Sequence, residues 1–265
     1  MPELPEVEHI VRYLRPRLTG RRIEAVSVAA LARPLVGRTI RDVARRAKLV
    51  LLPLDRGGTL VVHLKLTGKL WVRPAAEPPG RHARLVLRLS GEDALVLEDA
   101  RRLGWARVHD DAALAAALAR LGPEPLEPAF DLAALRARLH ARRRSRLKPL
   151  LLDPAFVAGI GNIYADEVLF AARLHPLARA GDLAPPAARR LHAAIKRVLG
   201  RALAARTAEV PDQERVGAGG RGAARRLDLA VFQKDGQPCP RCRAALVRTV
   251  VQGRGTYLCA RCQAE

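Results

Sequence analysis

Apolar residues recur along the chain with two different periods. From Leu4 to Leu14 they follow the spacing of an amphipathic helix, which Pro16 is expected to end. Between residues 22 and 108 they come instead in short runs separated by turn signals such as Asp55-Arg-Gly-Gly58, a pattern typical of strands. This half of the chain is therefore predicted to form an antiparallel β-sandwich or barrel behind a leading helix. Its predicted strands are 22–28, 48–54, 60–66, 69–72, 84–89, 94–98 and 102–108.

Helical periodicity takes over after residue 110. An Ala-rich helix is predicted at 111–121 with Gly122 as its C-terminal cap, and the prolines that follow it predict a domain boundary. Asp131 is expected to cap the next helix. Further helices are predicted at 148–152, 162–172 and 187–203, and the aperiodic stretch 207–227 is expected to be a mobile loop.

The charge of the chain indicates its class of partner. Lys and Arg number 47 against 26 Asp and Glu, and the net charge of +21 is typical of proteins that bind a polyanion. Nucleic acid is the first expectation, and an acidic membrane surface is the second. The sequence has no apolar run long enough to span a bilayer and no secretory signal, which disfavours the membrane.

The cysteines predict a metal site. Cys239 and Cys242 form one Cys-x-x-Cys pair, Cys259 and Cys262 form another, and sixteen residues separate the pairs. This spacing fits four thiolates around one Zn²⁺, with a β-hairpin between the pairs; unligated or disulfide-bonded cysteines are the alternative. Four protein ligands leave no position for water, so the zinc is expected to be structural.

The first residues offer a nucleophile. If Met1 is removed, which a small second residue permits, Pro2 becomes a terminal secondary amine that titrates at about pH 8. Such an amine can attack the anomeric carbon of a sugar and form a cationic iminium. The adjacent Glu3 can donate or accept a proton. An ordinary helix start, with Pro5 in the first turn, is the alternative.

Two stretches in the second half suit phosphate binding. Gly159-Ile-Gly161 precedes a predicted helix, where backbone N–H groups can bind a phosphate, although any tight connection can need two glycines. The run from Arg142 to Lys148 holds five basic residues in seven. It is predicted either to be a solvated helix face or to line a DNA groove.

These features occur in one order, with Met1-Pro-Glu-Leu-Pro-Glu6 first, then Leu121-Gly-Pro-Glu-Pro-Leu126, then Gly159-Ile-Gly-Asn-Ile-Tyr164, then the cysteine pairs. The chain therefore resembles the bacterial formamidopyrimidine-DNA glycosylase family, which also holds endonuclease VIII, over nearly its whole length. The resemblance implies a bifunctional DNA glycosylase and AP lyase. Such an enzyme excises oxidised bases through a Schiff base at the N-terminal proline and nicks the strand by β,δ-elimination.

The resemblance also implies an α+β fold in three parts. An N-terminal catalytic β-sandwich with flanking helices is expected at 1–122. A helix–two-turns–helix DNA-binding domain is expected at 123–230, and a zinc-finger β-hairpin at 231–265.

Residue roles follow from the same resemblance. Pro2 is expected to be the nucleophile and Glu3 the proton donor, while Lys48 assists β-elimination and Arg254 the second elimination. The residues expected to bind DNA are His82, Arg102, Arg144, Lys148 and Asn162. Those expected to fill the gap left by the flipped base are Leu66, Arg102 and Leu103.

The chain departs from the family pattern where the base is recognised. Typical members fill the gap with Met, Arg and Phe, whereas Leu66 and Leu103 stand here beside the retained Arg102. The stretch 207–227 also lacks the usual Gly-Gly-Thr/Ser and Tyr pattern. We therefore expect weaker selection for 8-oxoguanine than for abasic sites, ring-opened purines or oxidised pyrimidines.

Two other functions stay open at this point. An endonuclease VIII-like enzyme for oxidised pyrimidines is favoured by the changed loop and disfavoured by Leu4, where those enzymes usually carry Gly. A non-catalytic zinc-ribbon DNA-binding protein has no need of Pro2 and Glu3. The expected partner is double-stranded DNA with damaged bases or abasic sites, bound by a monomer in the cytoplasm of a bacterium, at the nucleoid, with no membrane association.

Overall fold

The computed structural model describes residues 1–205 and 229–264, and the predicted loop at 207–227 lies outside them. The described residues form two compact units. Unit 1 comprises residues 1–120, and unit 2 comprises residues 121–205 together with 229–264. The three-part division predicted from the sequence stays a prediction.

Unit 1 contains two antiparallel four-stranded sheets in the part of the chain that the structure describes. One has the order β1-β6-β7-β5 and the other β2-β3-β4-β8. Aliphatic side chains from both sheets and from the first helix share one core, in which the aromatic residues have little part. The strands are β1 (Ile23–Val26), β2 (Ala44–Arg46), β3 (Leu49–Pro53), β4 (Thr59–His63), β5 (Lys69–Pro74), β6 (Ala83–Leu89), β7 (Asp93–Glu98) and β8 (Trp105–His109). The predicted α+β fold with an N-terminal sandwich is confirmed.

Helix α1 (Leu4–Leu18) opens this unit and buries the apolar stripe predicted for it. The prediction that Pro16 ends the helix is wrong, because Pro16 lies inside its last turn. A proline so close to the C-terminus removes a single helical hydrogen bond. Complete burial of Leu18 at the end of the helix offsets that loss.

Two strands are shorter than predicted: β4 at its end and β8 at its start, in each case next to a tight turn. β4 ends at His63, not at Leu66, because Lys65 adopts a left-handed φ of 52° and the Gly68 N–H donates to the Leu64 carbonyl at 2.9 Å. β8 begins at Trp105, not at residue 102. Two short elements, β2 and the helix α2 (Ala29–Leu35), have too few periodic residues to be predicted.

After α3 (Asp111–Ala119), which ends unit 1, the helices of unit 2 lie close to their predicted positions. Gly122 is not a helix cap, because α3 ends before it. It allows close packing instead, since a Cβ there would lie 2.7 Å from the Ala155 carbonyl oxygen. Helix caps follow the expected chemistry: the Ala134 N–H donates to the Asp131 carboxylate at 2.7 Å. The helices are α4 (Leu132–Ala141), α5 (Leu147–Leu152), α6 (Asn162–Ala172) and α7 (Pro185–Ala204).

The cysteine region forms the predicted hairpin, from β9 (Val247–Val251) and β10 (Arg254–Leu258). Its small core includes Phe170 of α6, so the hairpin packs on the helices of unit 2. None of the helices in the described ranges has the length and apolar character needed to cross a membrane.

Candidate functional site

The chain start places Glu3 at the head of α1. Glu3 is the N-cap residue, and its backbone N–H donates to the Glu6 carboxylate at 2.8 Å. Glu3 as a whole is 2% exposed, while Pro2 is half-buried and Met1 exposed. The helix start and the proposed chemistry are therefore compatible, since the capping position fixes the backbone of Glu3 directly after Pro2.

Lys48 lies beside a neutral histidine. It directly precedes β3, whose first residue, Leu49, pairs with His63 of β4, and the His63 ring is 5.8 Å from that of Trp105. Burial, helped by the nearby cations Lys65 and Lys48, lowers the pKa of His63 to about 4. His63 is thus uncharged at neutral pH, and its Nδ1 accepts the Lys65 N–H at 2.9 Å.

Two exposed turns carry the predicted gap-filling residues. Leu66 stands between β4 and β5 and is 37% exposed; Leu103 stands between β7 and β8 and is 44% exposed. Arg102, beside Leu103, is exposed and has a left-handed φ of 54°. The predicted DNA contact His82 is exposed as well. Each of these side chains is therefore accessible from solvent.

Lys148 has a different environment from the rest of its basic run. Arg144 is exposed, whereas Lys148 is fully buried. The Lys148 ammonium lies 2.7 Å from the Asp166 carboxylate and also donates to the Thr256 hydroxyl at 2.7 Å and to the Gly255 carbonyl at 3.0 Å. In this position it binds the hairpin, and its direct contact with DNA stays a prediction.

The first residues of α6 hold the same strand. Gly159 has a φ of 84°, which only glycine adopts without strain, and it turns the chain toward the helix. Asn162, the first residue of α6, donates its amide to the Gly255 carbonyl at 2.9 Å. One turn later, the Asp166 carboxylate accepts the Tyr257 N–H at 3.0 Å. Side chains of α5 and α6 therefore fix three successive residues of β10, directly after the exposed Arg254.

Asp166 and Glu167 are buried carboxylates that support the candidate site and that sequence reasoning missed. Burial raises the pKa of Asp166 to about 6, although the Lys148 ammonium opposes the shift. The Glu167 carboxylate accepts three successive backbone N–H groups, from Ala230 and Val231 at 2.8 Å and from Phe232 at 2.9 Å. Two acidic residues in a run of apolar ones within a helix were the available signal.

The four cysteines converge as predicted. Their sulfur atoms all lie within 4.8 Å of one another, with 3.9 Å between Cys239 and Cys262 and 3.5 Å between Cys242 and Cys259. Disulfide bonds are much shorter, at about 2.05 Å. Tetrahedral Zn²⁺ with bonds of about 2.3 Å separates its sulfurs by about 3.8 Å, so the residues fit one zinc ion. The predicted structural zinc site is confirmed.

Family models match the chain in three consecutive stretches. The formamidopyrimidine-DNA glycosylase N-terminal domain matches residues 1–106, and the H2TH domain of the same enzyme matches residues 121–213. A zinc finger found in FPG and IleRS matches residues 236–264.

Known proteins are similar over the full length of the chain. A formamidopyrimidine-DNA glycosylase of Roseiflexus sp. is 42% identical, covering 99% of this chain and 100% of its own. The crystal structure of MutM (Fpg) from Thermus thermophilus has a TM-score of 0.85 at 39% identity, covering 100% of this chain and 99% of its own. The Lactococcus lactis enzyme, bound noncovalently to DNA containing an AP site, has a TM-score of 0.86 at 30% identity, covering 99% of this chain and 100% of its own.

Proposed function

Because the chain belongs to the formamidopyrimidine-DNA glycosylase family, we propose that it is a base excision repair enzyme that removes damaged bases from DNA and cleaves the strand at the abasic site. The observation that carries this function is the match of all three family models, in order, along one chain. The net charge of +21 supports a polyanionic substrate. By analogy with the L. lactis complex, the partner is double-stranded DNA with a damaged or abasic nucleotide.

The proposed chemistry begins at Pro2 after removal of Met1. The Pro2 nitrogen forms a bond to the anomeric carbon, the bond from that carbon to the base breaks, and the base leaves with a proton. Glu3 protonates the sugar ring oxygen, the ring opens, and a cationic iminium remains. The buried, helix-anchored position of Glu3 supports this role, because a general acid must be held within reach of one atom.

Strand cleavage follows from the iminium. Its positive charge makes the neighbouring sugar proton acidic; loss of that proton expels the 3′ phosphate, and a second elimination expels the 5′ phosphate. Lys48 is proposed to assist the first elimination and Arg254 the second. The neutral state of His63 supports the former, since Lys48 then meets no positive charge from that ring.

The proposed DNA contacts lie in both units. His82, Arg144 and Asn162 bind the backbone, while Leu66, Arg102 and Leu103 enter the stack beside the flipped nucleotide. Exposure of the arginines and of both leucines supports these roles. Zinc holds the hairpin that presents Arg254 and takes no part in the chemistry.

The proposed substrates are abasic sites, ring-opened purines and oxidised pyrimidines, with 8-oxoguanine opposite C a slower substrate. Aliphatic side chains at 66 and 103 support this preference, since they lack a flat face for stacking. Bases that already pair or stack poorly need less free energy to flip, with a difference of up to about a few kcal/mol. We further propose that the protein acts as a monomer in the bacterial cytoplasm, at the nucleoid.

Borohydride trapping tests the nucleophile. Incubation with duplex DNA containing an abasic site should give a covalent complex whose cross-linked peptide begins at Pro2. Blocking the amine by retention of Met1 should abolish trapping, since no free proline nitrogen remains. A cross-link at Lys48, or full trapping with Met1 retained, would contradict the assignment.

A conservative substitution tests the acid. Glu3→Gln should slow base excision by about a hundredfold or more, the usual scale for general acid catalysis, while leaving DNA affinity within about twofold. Glu8→Gln, on the same helix, is the matched control and should excise at the wild-type rate. Normal excision by Glu3→Gln would remove Glu3 from the mechanism.

A further inference from the structure

A single buried carboxylate joins the two exposed turns of unit 1. Asp99 follows β7 and is 1% exposed. One of its oxygens accepts a hydrogen bond from the Thr67 hydroxyl, in the turn that carries Leu66. The other accepts the Gly104 N–H at 2.5 Å, in the turn that carries Leu103. Two segments that are distant in sequence therefore share one acceptor.

The second turn folds around the same group. The Arg101 N–H donates to the Asp99 carboxylate at 3.2 Å, and the Arg102 N–H donates to the Asp99 carbonyl at 3.2 Å. Burial raises the pKa of Asp99, but hydrogen bonds from Thr67, Gly104, Arg101 and Leu103 outweigh it, and the net shift is downward. The carboxylate is thus charged at neutral pH, which makes these hydrogen bonds stronger than neutral ones.

Each turn contains a glycine whose backbone is closely approached by neighbouring atoms. A Cβ at position 68 would lie 2.3 Å from the Leu64 carbonyl oxygen, and a Cβ at position 104 would lie 3.1 Å from the Asp99 carboxylate. The backbone of Asp99 reaches a third segment, because its N–H donates to the His82 carbonyl at 2.9 Å. The proposed DNA-facing residues of unit 1 are all close to these hydrogen bonds. The backbones of His82 and Arg102 are bonded to the Asp99 backbone, and Leu66 and Leu103 directly precede Thr67 and Gly104, which are bonded to its carboxylate.

We propose that Asp99 is a positioning residue for base extrusion: its carboxylate holds the Leu66 and Leu103 turns in the relative placement at which both side chains enter the stack. This inference rests on the proposed function. Asp99 itself is buried and touches no DNA. Loss of its charge should therefore impair steps that need the wedge and spare steps that do not.

The test compares two substrates in single-turnover experiments. One is a duplex with an oxidised pyrimidine, which needs extrusion; the other is single-stranded DNA with a preformed abasic site, which does not. Asp99→Asn keeps the shape but replaces one acceptor oxygen with a donor. Losing a hydrogen bond to a charged acceptor should slow duplex excision by about tenfold to a hundredfold, with single-strand cleavage unchanged within about twofold. Asp93→Asn, at the other end of β7, is the matched control.

A second background shows whether Asp99 acts through the leucines. In a Leu66→Ala/Leu103→Ala protein, which lacks the two leucine side chains that the Asp99 carboxylate is proposed to position, Asp99→Asn should have little additional effect on duplex excision. An undiminished effect of about tenfold in that background would overturn the proposal. So would equal slowing on both substrates by a variant with the wild-type Tm, since that pattern means damage to the chemistry.

A conservative pair covers the case in which Asp99→Asn fails to fold. Thr67→Val replaces the hydroxyl with a methyl group and should slow duplex excision selectively, whereas Thr67→Ser should retain the wild-type rate. Equal rates for these two variants would overturn the proposal. Failure of the proposed function is distinguishable, because the wild-type protein would then neither excise the base nor cleave the abasic site.

Discussion

Replacing Lys148 with Met removes the cation from a fully buried ion pair. Asp166 then keeps a buried carboxylate without its counter-ion, the Thr256 hydroxyl loses its donor, and the Gly255 carbonyl keeps only the donor from Asn162. Breaking one side of such a pair costs about 3–5 kcal/mol. That is a large part of the roughly 5–15 kcal/mol that stabilises a typical domain. At about 2–4 °C per kcal/mol, the Tm should fall by about 6–20 °C.

The loss of stability in Lys148→Met should be smaller at low pH than at high pH. In the folded protein, burial holds the pKa of Asp166 above its unfolded value of about 3.9. The folded state therefore binds a proton more readily than the unfolded state, and stability rises as the pH falls through this range. Without the Lys148 ammonium the pKa should rise further. The Lys148→Met protein should thus be less impaired at pH 5 than at pH 8.

A double variant separates the cost of the unpaired charge from the loss of the β10 contacts. Lys148→Met/Asp166→Leu removes both charges, and apolar replacement of a buried pair is often nearly neutral, so most of the stability should return. The contacts of Lys148 with Gly255 and Thr256, and of Asp166 with Tyr257, stay lost in the double variant. DNA affinity should therefore stay low if Lys148 acts by holding β10 or by direct backbone contact, and it should return only if stability alone limits binding.

Thermal unfolding at two pH values and DNA titration at fixed salt provide the measurements. Arg146→Met, an exposed position in the same basic run, is the control for loss of one positive charge. A Tm shift for Lys148→Met no larger than that of the control would refute the reasoning. So would a double variant that is less stable than the single one.

Three further results are expected. Purified protein should contain one zinc ion per chain; Cys242→Ser should lose it and bind DNA more weakly, and active protein without zinc would contradict the site. Because the pKa of folded His63 is about 4 against about 6.5 unfolded, the contribution of His63 to stability should fall as the pH drops from 7 to 5. His63→Gln should therefore lose less stability than the wild type over this interval in thermal melts, and equal pH slopes would count against a neutral ring. Leu103→Phe should speed excision of 8-oxoguanine opposite C by several-fold, since base–aromatic stacking is worth about 1–3 kcal/mol. If the wild-type protein already excises that base fastest among matched duplexes, the proposed substrate preference is wrong.

Local patterns were enough for most of the fold and for the metal site. Helix α1, the strands β3 to β7 and the hairpin between the cysteine pairs follow from periodicity and turn residues. The predictions for β4 and β8 were too long because Leu66 and Leu103 continue the apolar pattern. In the structure, the left-handed Lys65 and the Gly68–Leu64 hydrogen bond turn the chain after β4, and the Gly104 N–H bond to Asp99 holds the turn before β8. An isolated aspartate carries no periodic signal, so this could not be predicted.

The environment of Lys148 could not be predicted for a related reason. A run of basic residues indicates an exposed face, and Arg144 follows that rule. Lys148 departs from it because its partners are Asp166 and the backbone of Gly255, which are distant along the chain. Only the tertiary fold brings them together. The structure therefore differs most from the sequence-based prediction at residues whose partners are distant along the chain.

The hairpin of the cysteine region is a separate segment of the sequence, but its stability depends on contacts with the helices of unit 2. Besides the Lys148 and Asp166 contacts, Arg241 donates to the Phe170 carbonyl at 2.6 Å at the end of α6, and Gln263 donates to the Leu174 carbonyl at 2.9 Å. A fragment excised around the four thiols would lose all of these partners, and it would also lose the Glu167 carboxylate that binds the backbone at 230–232. Zinc could still bind the four thiols of such a fragment, but its two strands would lack the helices against which they pack. Grafting this finger onto another scaffold would thus require transplanting the receiving helices with it, so that the smallest portable part is the hairpin together with α5, α6 and the chain as far as Leu174.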